Sequence, residues 1–483
     1  MKKVIILTGA LLLLSVKSNA MSIDSMAYGV FGKITIYHPV KDPEAVVLFV
    51  SGDGGWNKGV VDMATNLVTQ GALVAGINIQ SYFKRIKTLK AKCYYPASDF
   101  ESLSLTIQKK YKLKEYLKPV LVGYSSGATL VYGILAQSPA NTFKGAISLG
   151  FCPDIEIDRP LCSGSGLASH VLKEGKSYYI ESNTHLSAPF IILMGMLDQV
   201  CSYADTKKYT ENMSNTELVT LPKVGHGFSV TKNWLPQFIA AYKKILLEQG
   251  YSEKIAAQNK IQQIQNNEPF SSDLPLIANP STENEKFPLA FFISGDGGWT
   301  NFDQSVCGKL AEKGMPVIGL DAQKYFWNEK QPKETADDII KVINHYMYQW
   351  NKTSFVLIGY SFGASIVPFI ASNFSNSVKE NLKGLYCFSP DETGDFEIHI
   401  TDMLNFSNKE KYDVLSELKK HTSLTPVCVF GSEEDCEIRK HFSMSGIKVE
   451  ILPGSHHYDN NYDAISGIII NNLISKPVSI PNN

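Results

Sequence analysis

The sequence has almost no excess of charge of either sign, since its 483 residues include 46 lysines and arginines and 47 aspartates and glutamates. Proteins that bind nucleic acid need a basic excess to displace counterions from phosphates, so this balance argues against a nucleic-acid partner. The chain also lacks a Walker A phrase, a glycine-rich dinucleotide fingerprint and an H-E-x-x-H helix. We therefore predict no cofactor and no catalytic metal.

Long apolar runs are missing too, except at the amino terminus. There, lysines at positions 2–3 precede an apolar run over residues 4–14, and small residues follow at 18–20. This order is typical of a secretory signal peptide, and the run is too short to span a bilayer comfortably. We predict a signal peptide over residues 1–20 and export to the periplasm, with an uncleaved anchor helix as the alternative.

Cysteines are few, eight in all, and none forms a C-x-x-C pair, which argues against a structural zinc site. Four lie in each half of the chain. In an oxidising compartment an even number suggests disulfides, but four cysteines allow three pairings within each half and the spacing does not choose between them. Free buried thiols are the alternative, and Cys428 fits it best because it lies in an apolar run.

Two unusual phrases each occur twice in the same order. S-G-D-G-G-W occupies residues 51–56 and 294–299, and G-Y-S-x-G-A follows each copy at 123–128 and 359–364. The chain is therefore a tandem repeat of one domain. In each half, buried strand-like runs alternate with helical runs, which predicts a mostly parallel sheet with helices on both faces.

The repeat sets the predicted domain boundaries. The first domain covers residues 21–250 and the second covers 287–477. Residues 251–286 are rich in Gln, Asn, Ser and Pro and lack a strong apolar period, so we predict a linker there.

The G-x-S-x-G pattern makes Ser125 and Ser361 candidate nucleophiles. In both copies an apolar strand-like run precedes the pattern and a helical run follows it, which is the context of a nucleophile elbow. A tight turn with a spectator serine is the alternative. The backbone N–H of the next residue, Ser126 or Phe362, is expected to bind an oxyanion.

A catalytic serine needs a histidine that is oriented by an acid, and in α/β-hydrolases the chain order is serine, acid, histidine. The first half supplies Asp198 and then His226. The second half supplies His456, preceded by either Glu434 or Asp435. Counting from the preceding glycine favours Glu434, but the usual preference for aspartate favours Asp435, which we choose. The order predicts two tandem α/β-hydrolase-like domains.

The S-G-D-G-G-W phrase stands in the loop where hydrolases place a second oxyanion donor. The expected donors are the N–H groups of Gly52 or Asp53 and of Gly295 or Asp296. A carboxylate would repel an oxyanion, so each aspartate either braces its loop, makes a local turn hydrogen bond, or binds a cationic part of the substrate.

Together these phrases resemble the AcvB/VirJ family of bacterial virulence proteins. The second half is similar to the VirJ domain throughout, and the first half to the extra N-terminal domain of AcvB. Beyond the repeated phrases, the resemblance rests on four short runs: C-Y-Y-P at 93–96, K-Y-F-W at 324–327, S-P-D at 389–391 and L-P-G-S-H-H-Y at 452–458.

The resemblance implies a periplasmic α/β-hydrolase that cleaves lysyl-phosphatidylglycerol, an aminoacylated phospholipid at the membrane surface, into lysine and phosphatidylglycerol. It attributes this activity to the second domain, and it adds secretion-system proteins as further partners. Asp296, Asp391 and Glu392 are candidates for contacting the lysyl amines. The alternatives are an esterase for another acyl group and a binding protein of type IV secretion on a hydrolase scaffold.

The first domain departs from the family pattern at one place that the sequence shows. It reads Y-F-K at residues 82–84, where the second domain reads Y-F-W at 325–327. It nevertheless keeps all three candidate triad residues, so the sequence leaves open whether one domain or both are active.

Overall fold

A computed structural model of the chain describes residues 21–139, 142–247, 274–281, 287–399 and 412–475. The predicted signal peptide over residues 1–20 lies outside these ranges. Within them, no helix combines the length and apolar character needed to cross a membrane.

The first half of the chain alternates strands and helices after an initial hairpin. Its strands are β1 (Ser22–Tyr28), β2 (Gly32–His38), β3 (Ala45–Val50), β4 (Ala72–Ile77), β5 (Val120–Tyr124), β6 (Gly145–Leu149), β7 (Asp154–Ile155), β8 (Ser169–Lys173), β9 (Ser177–Ile180), β10 (Phe190–Gly195) and β11 (Thr216–Leu221). Its helices are α1 (Lys58–Val68), α2 (Ile79–Ile86), α3 (Pro96–Lys110), α4 (Ser126–Gln137), α5 (Tyr203–Thr210) and α6 (Leu235–Leu247).

Eight of these strands form one sheet in the order β1-β2-β4-β3-β5-β6-β10-β11. Six neighbouring strands, β4, β3, β5, β6, β10 and β11, run parallel. At one side of the sheet β2 pairs antiparallel with β4, and β1 pairs antiparallel with β2. The central strand β3 is an unbroken apolar run that is buried along its whole length, as expected when helices cover both faces of a parallel sheet. The hairpin of β1 and β2 was not predicted from the sequence.

The second half repeats this alternation. Its strands are β12 (Leu276–Asn279), β13 (Leu289–Ile293), β14 (Val317–Leu320), β15 (Phe355–Tyr360), β16 (Leu382–Phe388), β17 (Thr393–Gly394), β18 (Tyr412–Asp413), β19 (Val427–Gly431) and β20 (Lys448–Leu452). Its helices are α7 (Asn301–Glu312), α8 (Ala322–Tyr325), α9 (Pro332–Gln349), α10 (Phe362–Ser372), α11 (Asn376–Lys379), α12 (Val414–Leu418), α13 (Cys436–Met444) and α14 (Tyr462–Ile474).

The second sheet has the order β12-β14-β13-β15-β16-β19-β20, which matches β2-β4-β3-β5-β6-β10-β11 strand for strand. All its strands run parallel except β12. The predicted α/β class and tandem arrangement are therefore confirmed. The linker prediction over 251–286 is wrong for Leu276–Asn279, because this short apolar run pairs with β14 as the edge strand of the sheet.

Each sheet has a hydrophobic core on both faces. In the first unit, α3 and α4 cover one face and α1 and α6 the other. In the second unit, α9 and α10 cover one face and α7 and α14 the other. The helices cover the faces of each sheet and leave the carboxyl ends of the parallel strands uncovered. Open α/β sheets bind ligands at these strand ends.

The cysteines behave differently in the two units. Disulfides join Cys93 to Cys162 and Cys152 to Cys201 in the first unit. The second unit has four free cysteines, so the expectation of disulfides is wrong there. Three of them are buried, Cys387 and Cys428 in the core on one face of the sheet and Cys307 in the core on the other, while Cys436 is exposed.

This pattern predicts the result of thiol mapping. In the native protein an alkylating reagent should label Cys436 alone, because the other free thiols are buried. Unfolding without reductant should add label at the three buried positions and leave two intact disulfides, identified by peptide mass spectrometry. Cys436→Ser should remove the native label, and a disulfide that includes any cysteine of the second unit would contradict the assignment.

Candidate active site

Ser125 and Ser361 stand at the same strained turn between a parallel strand and a helix. Each has a φ of 54°, combined with a ψ of −124° at Ser125 and −114° at Ser361, a backbone conformation that non-glycine residues rarely adopt. The flanking glycines allow the turn. A Cβ on Gly359 would lie 2.3 Å from the carbonyl oxygen of Gly363, a distance that real Cβ atoms do not adopt. Both serines therefore have the backbone geometry of a nucleophile elbow.

The first unit holds its three candidate residues in a continuous hydrogen-bonded chain. His226 Nε2 lies 2.9 Å from Ser125 Oγ, and His226 Nδ1 lies 2.8 Å from Asp198 Oδ2. The other oxygen of Asp198 accepts the N–H groups of Val200 and Cys201, both at 2.9 Å. The carboxylate is thus fixed by the backbone and orients the imidazole toward the serine, as in a Ser-His-Asp triad.

In the second unit the acid beside the histidine is Glu434. His456 Nδ1 lies 2.6 Å from Glu434 Oε1, and Glu434 Oε2 accepts the Gly431 N–H at 2.6 Å and the Ser389 hydroxyl at 2.9 Å. Burial works to raise the pKa of Glu434, but hydrogen bonds from His456, Gly431 and Ser389 outweigh it, and the pKa is lowered. Glu434 is therefore held as a carboxylate.

The preference for Asp435 over Glu434 is wrong. Asp435 precedes α13, and its Oδ1 accepts the Glu437 N–H at 2.8 Å as the N-cap of that helix. Glu434 is the third residue after the last glycine of β19, and Asp198 is the third residue after the last glycine of β10. The position after the strand, more than the choice between aspartate and glutamate, determines which carboxylate reaches the histidine.

The serine and histidine of the second unit are less tightly joined than those of the first. Among the described residues, no hydrogen bond links Ser361 to His456. The side chain of His456 is 44% exposed, whereas that of His226 is 18% exposed. Ser361 and His456 nevertheless line one cavity. Catalytic hydrogen bonds often tighten only when substrate binds, so this arrangement suits an open site.

A tyrosine that was not predicted as a site residue supports the histidine in both units. The hydroxyl of Tyr124 donates to the carbonyl of His226 at 2.9 Å, and that of Tyr360 donates to the carbonyl of His456 at 3.3 Å. Each tyrosine directly precedes the nucleophile. The signal was present in the repeated G-Y-S phrase, where the tyrosine is kept in both copies.

The S-G-D-G-G-W loop lies directly against the nucleophile. A Cβ on Gly52 would come within 2.9 Å of the Ser125 Cβ, and one on Gly295 within 3.4 Å of the Ser361 Cβ. The next residue of each elbow, Ser126 or Phe362, begins a helix whose N-terminus carries partial positive charge. The loop and the helix N-terminus thus flank each serine in the way an oxyanion hole requires.

The aspartates of the two loops have different surroundings. The hydroxyl of Ser126 donates to Asp53 at 2.8 Å, so this carboxylate braces its loop. Phe362 stands at the matching position of the second unit and has no hydroxyl to donate. Asp296 is exposed, accepts the Gly297 N–H at 3.1 Å and lines the cavity. The loop-bracing alternative therefore fits the first unit. In the second unit the bond to Gly297 fits the local-turn alternative, and cation binding by Asp296 stays a prediction.

The cavity beside Ser361 has a volume of about 580 Å³ and an acidic lining. Among the described residues that line it there is no lysine or arginine, and the carboxylates in the lining are those of Asp296, Asp391, Asp395, Glu397, Glu433, Glu434 and Asp435. Glu392, the third candidate for contacting an amine, instead pairs with His441 at 2.5 Å. Among the described residues no three His, Cys, Asp or Glu side chains are grouped to hold a metal ion.

The choice of acid can be tested on the nucleophile itself. Glu434→Gln should slow the labelling of Ser361 by a fluorophosphonate about a thousandfold or more, because the histidine loses the carboxylate that orients and stabilises it. Asp435→Asn should change the rate by less than about threefold, since an asparagine also caps a helix. Peptide mapping separates Ser361 from Ser125, which serves as the internal control. The opposite ranking of the two variants would show that Asp435, and not Glu434, is the acid that orients His456.

Several solved structures are similar to parts of the chain. They include an alpha-beta serine hydrolase homologue from Coxiella burnetii (17% identity, 47% of this chain and 95% of that chain, TM-score 0.30) and a dienelactone hydrolase from Anabaena variabilis (17%, 46% and 96%, 0.33). A third is a serine hydrolase without lid from Xanthomonas campestris (14%, 52% and 97%, 0.30). No curated protein matches the sequence.

A family model gives a stronger result. The model of the bacterial virulence protein (VirJ) matches residues 44–148 and 288–476, which together make up more than half of the chain. The first segment contains Ser125, and the second contains Ser361, Glu434 and His456. The chain therefore belongs to the VirJ family of bacterial virulence proteins.

Proposed function

We propose that the second unit is a periplasmic serine hydrolase of aminoacyl esters that cleaves lysyl-phosphatidylglycerol into lysine and phosphatidylglycerol. The observation that carries this proposal is the acidic lining of the cavity onto which Ser361 and His456 open. A lysyl ester presents one amine on the carbon next to the reacting carbonyl and a second at the end of its side chain. An acidic cavity attracts such a group while it repels anionic acyl groups. The predicted export would bring the enzyme to the membrane that holds the lipid.

The first half of the reaction transfers the lysyl group to the enzyme. Ser361 Oγ attacks the ester carbonyl while His456 takes its proton, with Glu434 stabilising the imidazolium that forms. The N–H of Phe362 and one N–H from the Gly295–Asp296 loop hold the oxyanion. The bond to the glycerol oxygen then breaks, His456 returns the proton to that oxygen, and phosphatidylglycerol leaves.

The second half of the reaction releases lysine. Water attacks the acyl group on Ser361, and His456 takes the proton from the water as the new bond forms. When the tetrahedral intermediate collapses, the bond to Ser361 breaks and the proton passes to Ser361 Oγ, so the enzyme returns to its starting state. Asp296 and Asp391 are exposed on the cavity wall, and we assign them to the lysyl amines.

This function predicts a specific loss in a purified system. The chain should release lysine from vesicles that contain lysyl-phosphatidylglycerol, and Ser361→Ala should reduce the rate about a thousandfold or more, because it removes the nucleophile. Ser125→Ala is the matched control, since it makes the same change at the same turn of the first unit, and it should leave the rate within about threefold. Free lysine is measured by mass spectrometry.

The same pair of variants can be compared in a deletion strain. Lysyl-phosphatidylglycerol should accumulate in cells complemented with Ser361→Ala and return to the original level with Ser125→Ala. If Ser125→Ala alone abolished the activity, the reaction would belong to the first unit. If neither variant altered the lipids or the release of lysine, the substrate assignment would fail.

A further inference from the structure

The first unit packs against the second around Trp327, whose side chain is almost completely buried. The indole N–H of Trp327 donates to the carbonyl of Leu113 at 3.2 Å, and its ring lies 5.2 Å from that of Tyr116. Beside it, Asn328 donates to the carbonyl of Lys114 at 3.2 Å. The segment that follows α3 therefore covers a residue of the second unit.

Lys109, in the last turn of α3, reaches the same place. Its ammonium group lies 2.9 Å from Glu397 Oε1, donates to the carbonyl of Trp327 and sits 4.5 Å from the centre of a Trp327 ring. The side chains of Lys109 and Glu397 are only 22% and 28% exposed. Glu397 lines the cavity beside Ser361, so a cation of the first unit neutralises a carboxylate of the second unit's cavity.

The cavity wall next to Glu397 is tied to the same segment. The N–H of Ile398 donates to the carbonyl of Phe326 at 2.9 Å. The ring of Phe326 lies 5.8 Å from that of Phe396 and 5.2 Å from that of Phe362, the residue after the nucleophile. A displacement of Trp327 would thus be passed to the cavity wall and to the elbow.

The S-G-D-G-G-W loop of the second unit also acts electrostatically on α3. Glu101, in the second turn of α3, has its pKa raised to about 7, first by burial and then by the charge of Asp296.

We infer that Lys109 is a positioning residue of the second unit's site and, by neutralising Glu397, sets how strongly the cavity discriminates between aminoacyl groups with one and with two amines. This inference rests on the proposed function. With Lys109 in place the pair contributes little net charge to the cavity. Without it, the charge of Glu397 would act on the substrate in a partly desolvated wall, where charges are weakly screened.

The test measures binding of lysinamide and alaninamide, which carry two and one positive charges, to the Ser361→Ala chain by calorimetry. The measured quantity is the ratio of the two Kd values, lysinamide over alaninamide. Adding Lys109→Met should lower this ratio by roughly three- to tenfold, the size expected for one partly screened charge. Adding Glu397→Gln should raise it, because Lys109 is then unpaired. The double variant should return it to near the starting value.

Two controls separate charge from structure. Lys110→Met removes the same charge from the next, exposed position of α3 and should leave the ratio unchanged. Lys109→Arg keeps the charge and should also preserve it. A role confined to holding the units together would make Lys109→Met and Glu397→Gln change the ratio in the same direction or not at all, and either result would overturn the inference.

The outcome also distinguishes this inference from the function on which it rests. If the original chain hydrolyses lysyl-phosphatidylglycerol and the ratio does not move, the role of Lys109 is wrong and the proposed function stands. If the chain does not hydrolyse the lipid and Ser361→Ala binds neither amide, both fail.

Discussion

The sharp turn that follows β5 in the first unit and β15 in the second is the constraint on which both sites depend. It forces Ser125 and Ser361 into a conformation with positive φ and lifts each hydroxyl to the carboxyl edge of its sheet. The turn exists because glycines flank it and because the S-G-D-G-G-W loop, also glycine-rich, packs against the serine. The loops that carry the acid and the histidine follow two neighbouring strands, so both lie at the same carboxyl end of the sheet. The tyrosine before each serine, Tyr124 or Tyr360, holds the histidine loop to the elbow by a hydrogen bond.

Most of this frame could be predicted from the sequence, because the strands at the centre of each sheet are unbroken apolar runs and the motifs occur twice. The predictions failed where a residue's role depends on a partner distant in sequence. The edge strand β12 is a short apolar run in a polar segment, and only its pairing with β14 makes it a strand. Asp435 appeared the better acid by residue type, but the turn after β19 directs Glu434 to His456.

The two units have diverged within one frame. In the first, Ser126 engages Asp53 and the triad is closed by hydrogen bonds. In the second, a phenylalanine replaces that serine, and Asp296 faces an acidic cavity. The difference between Y-F-K in the first unit and Y-F-W in the second also reflects the different surroundings of the last residue. Trp327 is buried against the first unit, whereas Lys84 is exposed. The sequence shows this difference but does not explain it, because the contact lies between the two units.

The central claim is that the acidic cavity makes the Ser361 site select an acyl group by its positive charge. The most direct measurement compares kcat/KM for lysyl-phosphatidylglycerol with that for the same lipid acetylated on the lysyl side-chain amine, which keeps the ester and removes one charge. The account predicts that acetylation lowers kcat/KM by about tenfold or more, the effect of removing one favourable charge contact from a partly desolvated site. Equal values for the two lipids would contradict it.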